Sequence, residues 1–322
     1  MEKQRTPAFS EEEKLRQALE ASRYEGGGKP MIKHIIDTAT FLHWLDKHNL
    51  HTPQHYLDLT VADTVIGAFH QSRLPLLAEH PHVFQLHDGH VALHPRLDTP
   101  AARTDAVVDV LREWREAGLI TGWRDEVYRV STTFDAPALM MLERAAASTF
   151  GILRYGVHLN GIVRKNGHLH LWIARRSLDK PEFPGKLDHI VAGGIPAGYS
   201  ARDVVLKECQ EEANIPLQLA RRARPISLIS YRLDEDAKRK RSLIFVYDLE
   251  LPEDFQPENT DGEVAAFYLW PIECVIEALA TDDFKTNNTL VFVDFLMRYG
   301  YLGPDDPHYT EIAQRLRSPV TW

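Results

Sequence analysis

Residues 193–215 concentrate side chains that could do chemistry: a glycine pair, Gly193-Gly194, leads to Lys207-Glu208-Cys209-Gln210-Glu211-Glu212-Ala213-Asn214-Ile215. An α-helix turns by roughly 100° per residue, so Glu208, Glu211 and Glu212, at i, i+3 and i+4, share one face. Like charges so placed repel by about 0.2–0.5 kcal/mol per pair, unless a cation sits between them. Carboxylate oxygens are hard ligands and favour Mg²⁺ or Mn²⁺, ions commonly shared with the phosphates of a substrate. The competing account of an isolated Glu-x-x-Glu-Glu is a solvated acidic face. Phosphates out of a metal's reach need protein cations, and Arg175, Arg176, Lys180 and Lys186 lie just before the glycine pair. Successive side chains of a strand leave on opposite faces, so one of Arg175 and Arg176 is expected to face the site.

Other clusters carry less. Lys238-Arg239-Lys240-Arg241 follows Asp234-Glu235-Asp236 and is expected as a solvated hairpin loop with neighbouring opposite charges. The pairs His80-Pro81-His82 and His168-Leu169-His170 have ligand-like spacing but lack accompanying cysteines or a zinc-protease glutamate, so they are expected to be structural. No Gly-x-Gly-x-x-Gly follows a strand at Gly193-Gly194, which removes a dinucleotide fold.

The run Gly193-x5-Tyr199-x7-Lys207-Glu208-Cys209-x-Glu211-Glu212-x-Asn214-Ile215 resembles the Nudix box, Gly-x5-Glu-x7-Arg-Glu-U-x-Glu-Glu-x-Gly-U with U a bulky apolar residue, and keeps its spacing. Asn214 in place of glycine is mild, since Asn is the next best residue for a left-handed helix end. Tyr199 and Lys207 replace a glutamate and an arginine that commonly brace the loop to the helix, and are expected to form one altered brace. The resemblance implies Mg²⁺-dependent phosphoanhydride hydrolysis, with Glu208, Glu211 and Glu212 as metal ligands. Such enzymes often draw a further carboxylate from a later loop, and Asp261-Gly262-Glu263-Val264 is similar to that segment. Glu211 and Glu263 are the catalytic candidates; Arg175, Arg176, Lys186, Gly193 and Gly194 are those for substrate binding.

The match extends to Trp123-Arg124-Asp125-Glu126-x-Tyr128-x-Val130, Glu143-Arg144-Ala145, Tyr155 to Gly161, Leu171 to Ser177 and Pro184 to Asp188. Together these resemble one Nudix subfamily with a small N-terminal domain, whose relatives include Nudix domains fused to thiamine pyrophosphokinase. This implies a diphosphatase acting on thiamine diphosphate and its oxo and oxy analogues. Trp123 and Tyr128 are candidate stacking surfaces. The alternatives are an ADP-ribose or dinucleotide pyrophosphatase, and a domain that senses a nucleotide without cleaving it.

The elements that must position these groups are legible from periodicity. Apolar residues recur at helical spacing over Ile35–Lys47 and Arg103–Ala117, and residues 83–93 alternate about Asp88-Gly89 as a hairpin. A helical linker is expected from Ala136. Strands Tyr155–Arg164 and His168–Arg176 flank an Asn166-Gly167 turn; a strand at 187–192, a helix at 201–214, strands at 226–233, 243–251 and 265–270, and helices at 272–280 and 288–299 follow. The expected fold is α/β: an α/β/α sandwich with a mixed sheet (residues 136–322), preceded by a small α+β domain (31–135) and a flexible extension (1–30).

Composition sets the limits. The 322 residues are 44% hydrophobic and 26% charged, as in ordinary globular proteins, and exceed one typical domain. A formal charge of -9 argues against a nucleic-acid partner. No apolar run approaches the roughly 18 residues of a membrane span. Two cysteines, Cys209 and Cys274, exclude a disulfide framework and point to a reducing cytoplasm. The expected partner is a small diphosphate, and a homodimer is allowed.

Overall fold

The computed structural model describes residues 37–320; the expected extension 1–30 and the start of the helix anticipated from Ile35 lie outside the described residues. Helix α1 (Thr38–His48) opens on Asp37, whose carboxylate accepts from the Ala39 N–H. A four-stranded sheet follows, built from β1 (Tyr56–Val61), β2 (Thr64–His70), β3 (Phe84–His87) and β4 (His90–Leu93) in the order β2-β1-β4-β3. The short helix α2 (Leu74–Ala78) and α3 (Pro100–Glu116) complete its cover. Thr99 caps α3 and proline takes its first turn, where a missing N–H costs nothing. Val107, Val110, Leu111 and Trp114 of α3 pack with Leu59, Phe69, Phe84 and Val91 of the sheet in one buried core.

The ribbon β5 (Val127–Val130) and β6 (Met140–Glu143) belongs to that same core, as do Ala146, Phe150 and Ile152. The division expected at 135/136 therefore falls inside the first unit, and the expected helical linker from Ala136 contains a strand instead. Packing changes character at Leu153, where β7 begins.

The second unit is a mixed sheet in the order β11-β12-β7-β8-β13, from β7 (Leu153–Lys165), β8 (His168–Arg176), β11 (Arg224–Glu235), β12 (Lys238–Glu250) and β13 (Val264–Pro271). Two short strands, β9 (Leu187–His189) and β10 (Val191–Gly194), pair with β8 and β7 respectively. Helix α4 (Ala201–Ala213), with α5 (Leu217–Ala220) after it, packs Val204, Val205, Cys209 and Ala213 against one face. On the other face α6 (Ile272–Leu279), α7 (Asn288–Arg298) and α8 (Tyr309–Arg315) enclose a second core. This is the expected α/β/α sandwich with a mixed sheet.

Two expectations fail for physical reasons. Helix α1, assigned by position to the N-terminal unit, buries Phe41 and Leu45 in the core of the second unit beside Phe292 and Phe295. Lys238–Arg241 is the start of β12 and not a solvated loop. The hairpin turns in only two residues, Asp236 and Ala237, both at positive φ (51° and 55°), the geometry of a primed turn. Alternation then sends Arg239 and Arg241 inward. Arg239 forms a bidentate pair with Asp234 (2.8 and 2.9 Å), while Arg241 is fully buried and donates to the Val320 and Gly151 carbonyls.

Candidate active site

Helix α4 is fixed at both ends by local chemistry. Ser200 accepts from the Asp203 N–H at 3.1 Å while the Asp203 carboxylate accepts from the Ser200 N–H at 3.2 Å, a reciprocal cap. At the far end Asn214 adopts the left-handed conformation (φ 48°), as its place in the box led one to expect, and its N–H returns to the Gln210 carbonyl. So held, α4 aims Glu208, Glu211 and Glu212 into one cavity of about 270 Å³, walled also by Ala192, Gly193 and Gly194. A Cβ on Gly193 would lie 2.8 Å from Glu208 Oε1, so the bare backbone is what lets that carboxylate reach its position.

The charge on this trio is under-compensated. Glu212 is buried and accepts one hydrogen bond, from the Ala192 N–H at 2.9 Å. Burial, with Glu208 adding to it, raises its carboxyl well above the ordinary range. Burial also raises Glu208; Lys207, 3.6 Å away, offsets this and Glu211 and Glu263 reinforce it. An oxygen-only donor set with surplus negative charge fits a hard divalent cation. Lys207 also pairs with Glu211. Tyr199, 48% exposed, instead borders a small cleft beside Tyr128 and Phe134. Among the described residues no hydrogen bond or ion pair links Tyr199 to Lys207, so the expected brace gives way to a counter-ion for the acidic face.

Of the other candidates, Glu263 and Arg176 line the cavity and Arg175 and Lys186 do not. Burial opposes the charge of Glu263, but its ion pair with Lys180, helped by Arg124 and Arg176, outweighs it and holds the carboxyl below the usual range. Arg176 donates to Asp188 (2.9 Å) and to the carbonyls of Glu182 and Phe183. Arg175, on the opposite face of β8, donates to the Tyr268 hydroxyl and the Gly185 carbonyl. Lys186 is tied to the Asp282 carbonyl. Trp123 lies outside the cavity, with its indole N–H on Asp125 (2.8 Å) and the Arg115 guanidinium 5.0 Å from its ring, whereas Tyr128 lines it.

Sequence reasoning did not place His158, Lys285, Asn287 or the arginines Arg124, Arg144 and Arg154 in the site, and it assigned Lys240 to a solvated loop; all of these line the cavity. Only the similarity around Trp123–Val130, Glu143–Ala145 and Tyr155–Gly161 touched three of them. His158 and His189 meet Nδ1 to Nδ1 at 3.0 Å in full burial, and burial lowers both, His189 to about 4. With Asp188 they form a cluster whose ligand atoms lie within 4.8 Å of one another. Asp188, however, is already engaged by Arg176, Lys285 (3.2 Å) and Asn288 (2.8 Å), which makes the cluster a polar girder behind the cavity wall.

The first unit is joined to the site. The Ala197 N–H donates to the Val127 carbonyl at 2.9 Å, and the Tyr128 hydroxyl fills the space a Gly194 Cβ would need, 2.3 Å from that point. Arg124, Glu126, Tyr128 and Arg144 thereby form a wall of the cavity that holds the α4 carboxylates.

The profile described as NUDIX domain matches residues 155–289, and one described as Domain of unknown function (DUF4743) matches residues 40–154. Nudix hydrolase 20, chloroplastic, of Arabidopsis thaliana is 42% identical over 273 residues, covering 82% of this chain and 73% of that protein. Nudix hydrolase 24, chloroplastic, of the same plant is 40% identical over 301 residues, covering 92% and 82%. Among solved structures, DR0079 from Deinococcus radiodurans is 20% identical with a TM-score of 0.41, covering 53% of this chain and 98% of that one. Nudix hydrolases generally use divalent metals such as Mg²⁺. With a Nudix domain in its second unit and named Nudix hydrolases similar to it over most of its length, the chain belongs to the Nudix hydrolase family and is an enzyme.

Proposed function

We propose that the enzyme cleaves the phosphoanhydride of thiamine diphosphate or, preferentially, of its oxo and oxy analogues, with Mg²⁺ at Glu208, Glu211 and Glu212. The observation that carries this is the convergence of those carboxylates with Arg176, Lys180, Lys207 and Lys285 on a cavity whose other walls include Phe183, Tyr231, Leu233 and Ile244. One part suits a diphosphate and the other an organic ring. The cavity of about 270 Å³ sits near the lower end of small-molecule sites, about 300 Å³ and upward, and adjoins an open cleft of about 510 Å³ beside Arg124, Lys180 and Glu263. The similarity of residues 123–188 to the thiamine-linked subfamily supports a thiamine diphosphate as the substrate.

The bound ion would supply charge neutralisation on the phosphoryl oxygens. Water oxygen bonds to the terminal phosphorus, the bridging P–O bond breaks, and the products are monophosphate and phosphate. Glu263 is the residue for the released proton, because it lines the same cavity as the three box carboxylates without being one of them. Glu211, with Lys207 beside it, is the second candidate. Chromatographic product analysis with Mg²⁺ tests the reading: thiamine diphosphate and its oxo analogue would give a monophosphate and free phosphate, whereas ADP-ribose and a dinucleoside polyphosphate would give two phosphorylated fragments each. Fastest turnover is expected on the oxo analogue; cleavage of none of the four overturns the proposal, and preference for either nucleotide replaces the substrate.

A further inference from the structure

The cavity cations are not equivalent in what they already hold. Arg176 and Lys285 share Asp188, Lys180 holds Glu263, Lys207 holds Glu208 and Glu211, Lys240 holds Glu235, and Arg144 holds Glu126 at 2.9 Å. Among the described residues, Arg124 and Arg154 line the cavity with no carboxylate within ion-pair distance. Arg154 is the more telling. Its Nε is buried without a hydrogen-bond partner, and one Nη2 donates to Ser242 Oγ at a long 3.3 Å. A guanidinium donor removed from water and left unused is costly, and an anion would satisfy it.

Its position says where that anion lies. Arg154, Gly156 and His158 are alternate residues of β7 and share one face of the strand. Gly156 pairs with Gly194, so a floor of glycine backbone (Gly156, Gly193, Gly194) runs between Arg154 and the α4 carboxylates. Arg144 comes to the same place from the first unit, with its guanidinium 5.8 Å from the Tyr128 ring centre, and the charges of both arginines act on the Tyr128 phenol.

We infer that Arg154, with Arg144 beside it, forms a second phosphate subsite, so that a diphosphate spans the glycine floor with one phosphate at the carboxylate trio and the other on these two arginines. The first unit then has a stated role: it completes the binding site of the hydrolase. This inference rests on the diphosphate reading of the cavity. Guanidinium suits it because its fork donates two parallel hydrogen bonds to one phosphate.

The test uses the full chain, Mg²⁺ and two non-hydrolysable probes, methylenediphosphonate and methylphosphonate, with calorimetric titration of wild type, Arg154→Gln, Arg154→Lys, Arg144→Gln and the surface control Arg112→Gln. Loss of a charge-assisted hydrogen bond should weaken the diphosphonate by about tenfold or more in Arg154→Gln, with methylphosphonate binding nearly unchanged and Arg154→Lys intermediate. Arg144→Gln should act in the same direction, and Arg112→Gln should match wild type. The inference is overturned if wild type does not bind methylenediphosphonate, if Arg154→Gln binds it as wild type does, or if both probes weaken equally. Wild type that binds the diphosphonate through Arg154 yet releases phosphate from no diphosphate would sink the hydrolytic reading and leave the subsite intact.

Discussion

Glu211 is the carboxylate whose removal should separate chemistry from folding most cleanly. It is half-buried, its side chain 44% exposed, where Glu212 is buried, so Glu211→Gln should leave the far-ultraviolet spectrum and thermal midpoint near wild type. Phosphate release should fall by about 100-fold or more, the scale of losing one electrostatic contact made in the transition state. The buried histidine pair makes the opposite kind of prediction, one about stability. An unfolded histidine takes up its proton near pH 6.5, while burial delays His189 to about 4. Between those values the unfolded chain binds the proton first, so stability is fully present above pH 6.5 and falls on acidification toward pH 4. The slope from this one group is about 1.4 kcal/mol per pH unit. Urea midpoints measured across that window should flatten in His189→Gln relative to wild type; parallel curves would show that the histidine titrates freely.

The strand β10 and the helix it feeds show how two neighbouring glycines serve different neighbours. Gly193→Ala would set a Cβ against the Glu208 carboxylate, the flexible end of a long side chain. The carboxylate should shift with little loss of stability, and half-maximal activity should need about tenfold more Mg²⁺, as when a ligand loses its outer support. Gly194→Ala would instead press on the Tyr128 hydroxyl and loosen the first unit, which limited proteolysis between residues 120 and 155 should report. Most of this layer was legible in the sequence. Period-3.6 and period-2 patterns located α4, the Asn166-Gly167 hairpin and the flanking strands, because these elements bury one face and expose the other. The turn at Asp236-Ala237 was not legible, since Ala in a left-handed conformation carries no signal of its own, and with it went the burial of Arg239 and Arg241. The box carboxylates could be read from spacing within one helix. The cavity arginines could not, because Arg124 and Arg144 flank the β5–β6 ribbon of the first unit and Arg154 opens β7, and only tertiary packing brings these segments to the carboxylates of α4.

At the scale of the molecule the two units share one cavity and are bolted together beside it, by the Ala197–Val127 hydrogen bond and the Tyr128–Gly194 contact. Among the described residues no helix is long and apolar enough to cross a membrane. The second unit also reaches back across the first in sequence, through α1. Phe41→Ala should therefore lower the stability of the hydrolase core by about 3–5 kcal/mol, the usual cost of emptying a buried phenylalanine site. Loss of Mg²⁺-dependent turnover at a lower temperature than wild type would report it, even though Phe41 is remote in sequence from every cavity carboxylate. An unchanged melting midpoint would mean that α1 adds nothing to that core.

The docking of α1 has a consequence for synthesis. Its apolar stripe emerges from the ribosome well before the surfaces that bury it, Phe292 and Phe295 of α7 and Leu316 after α8. At translation speeds of about 5–20 residues per second, the nascent helix waits on the order of tens of seconds for its partners. The hydrolase core thus closes by joining segments that flank the first unit in sequence, and a product terminated before α7 leaves the apolar stripe of α1 uncovered.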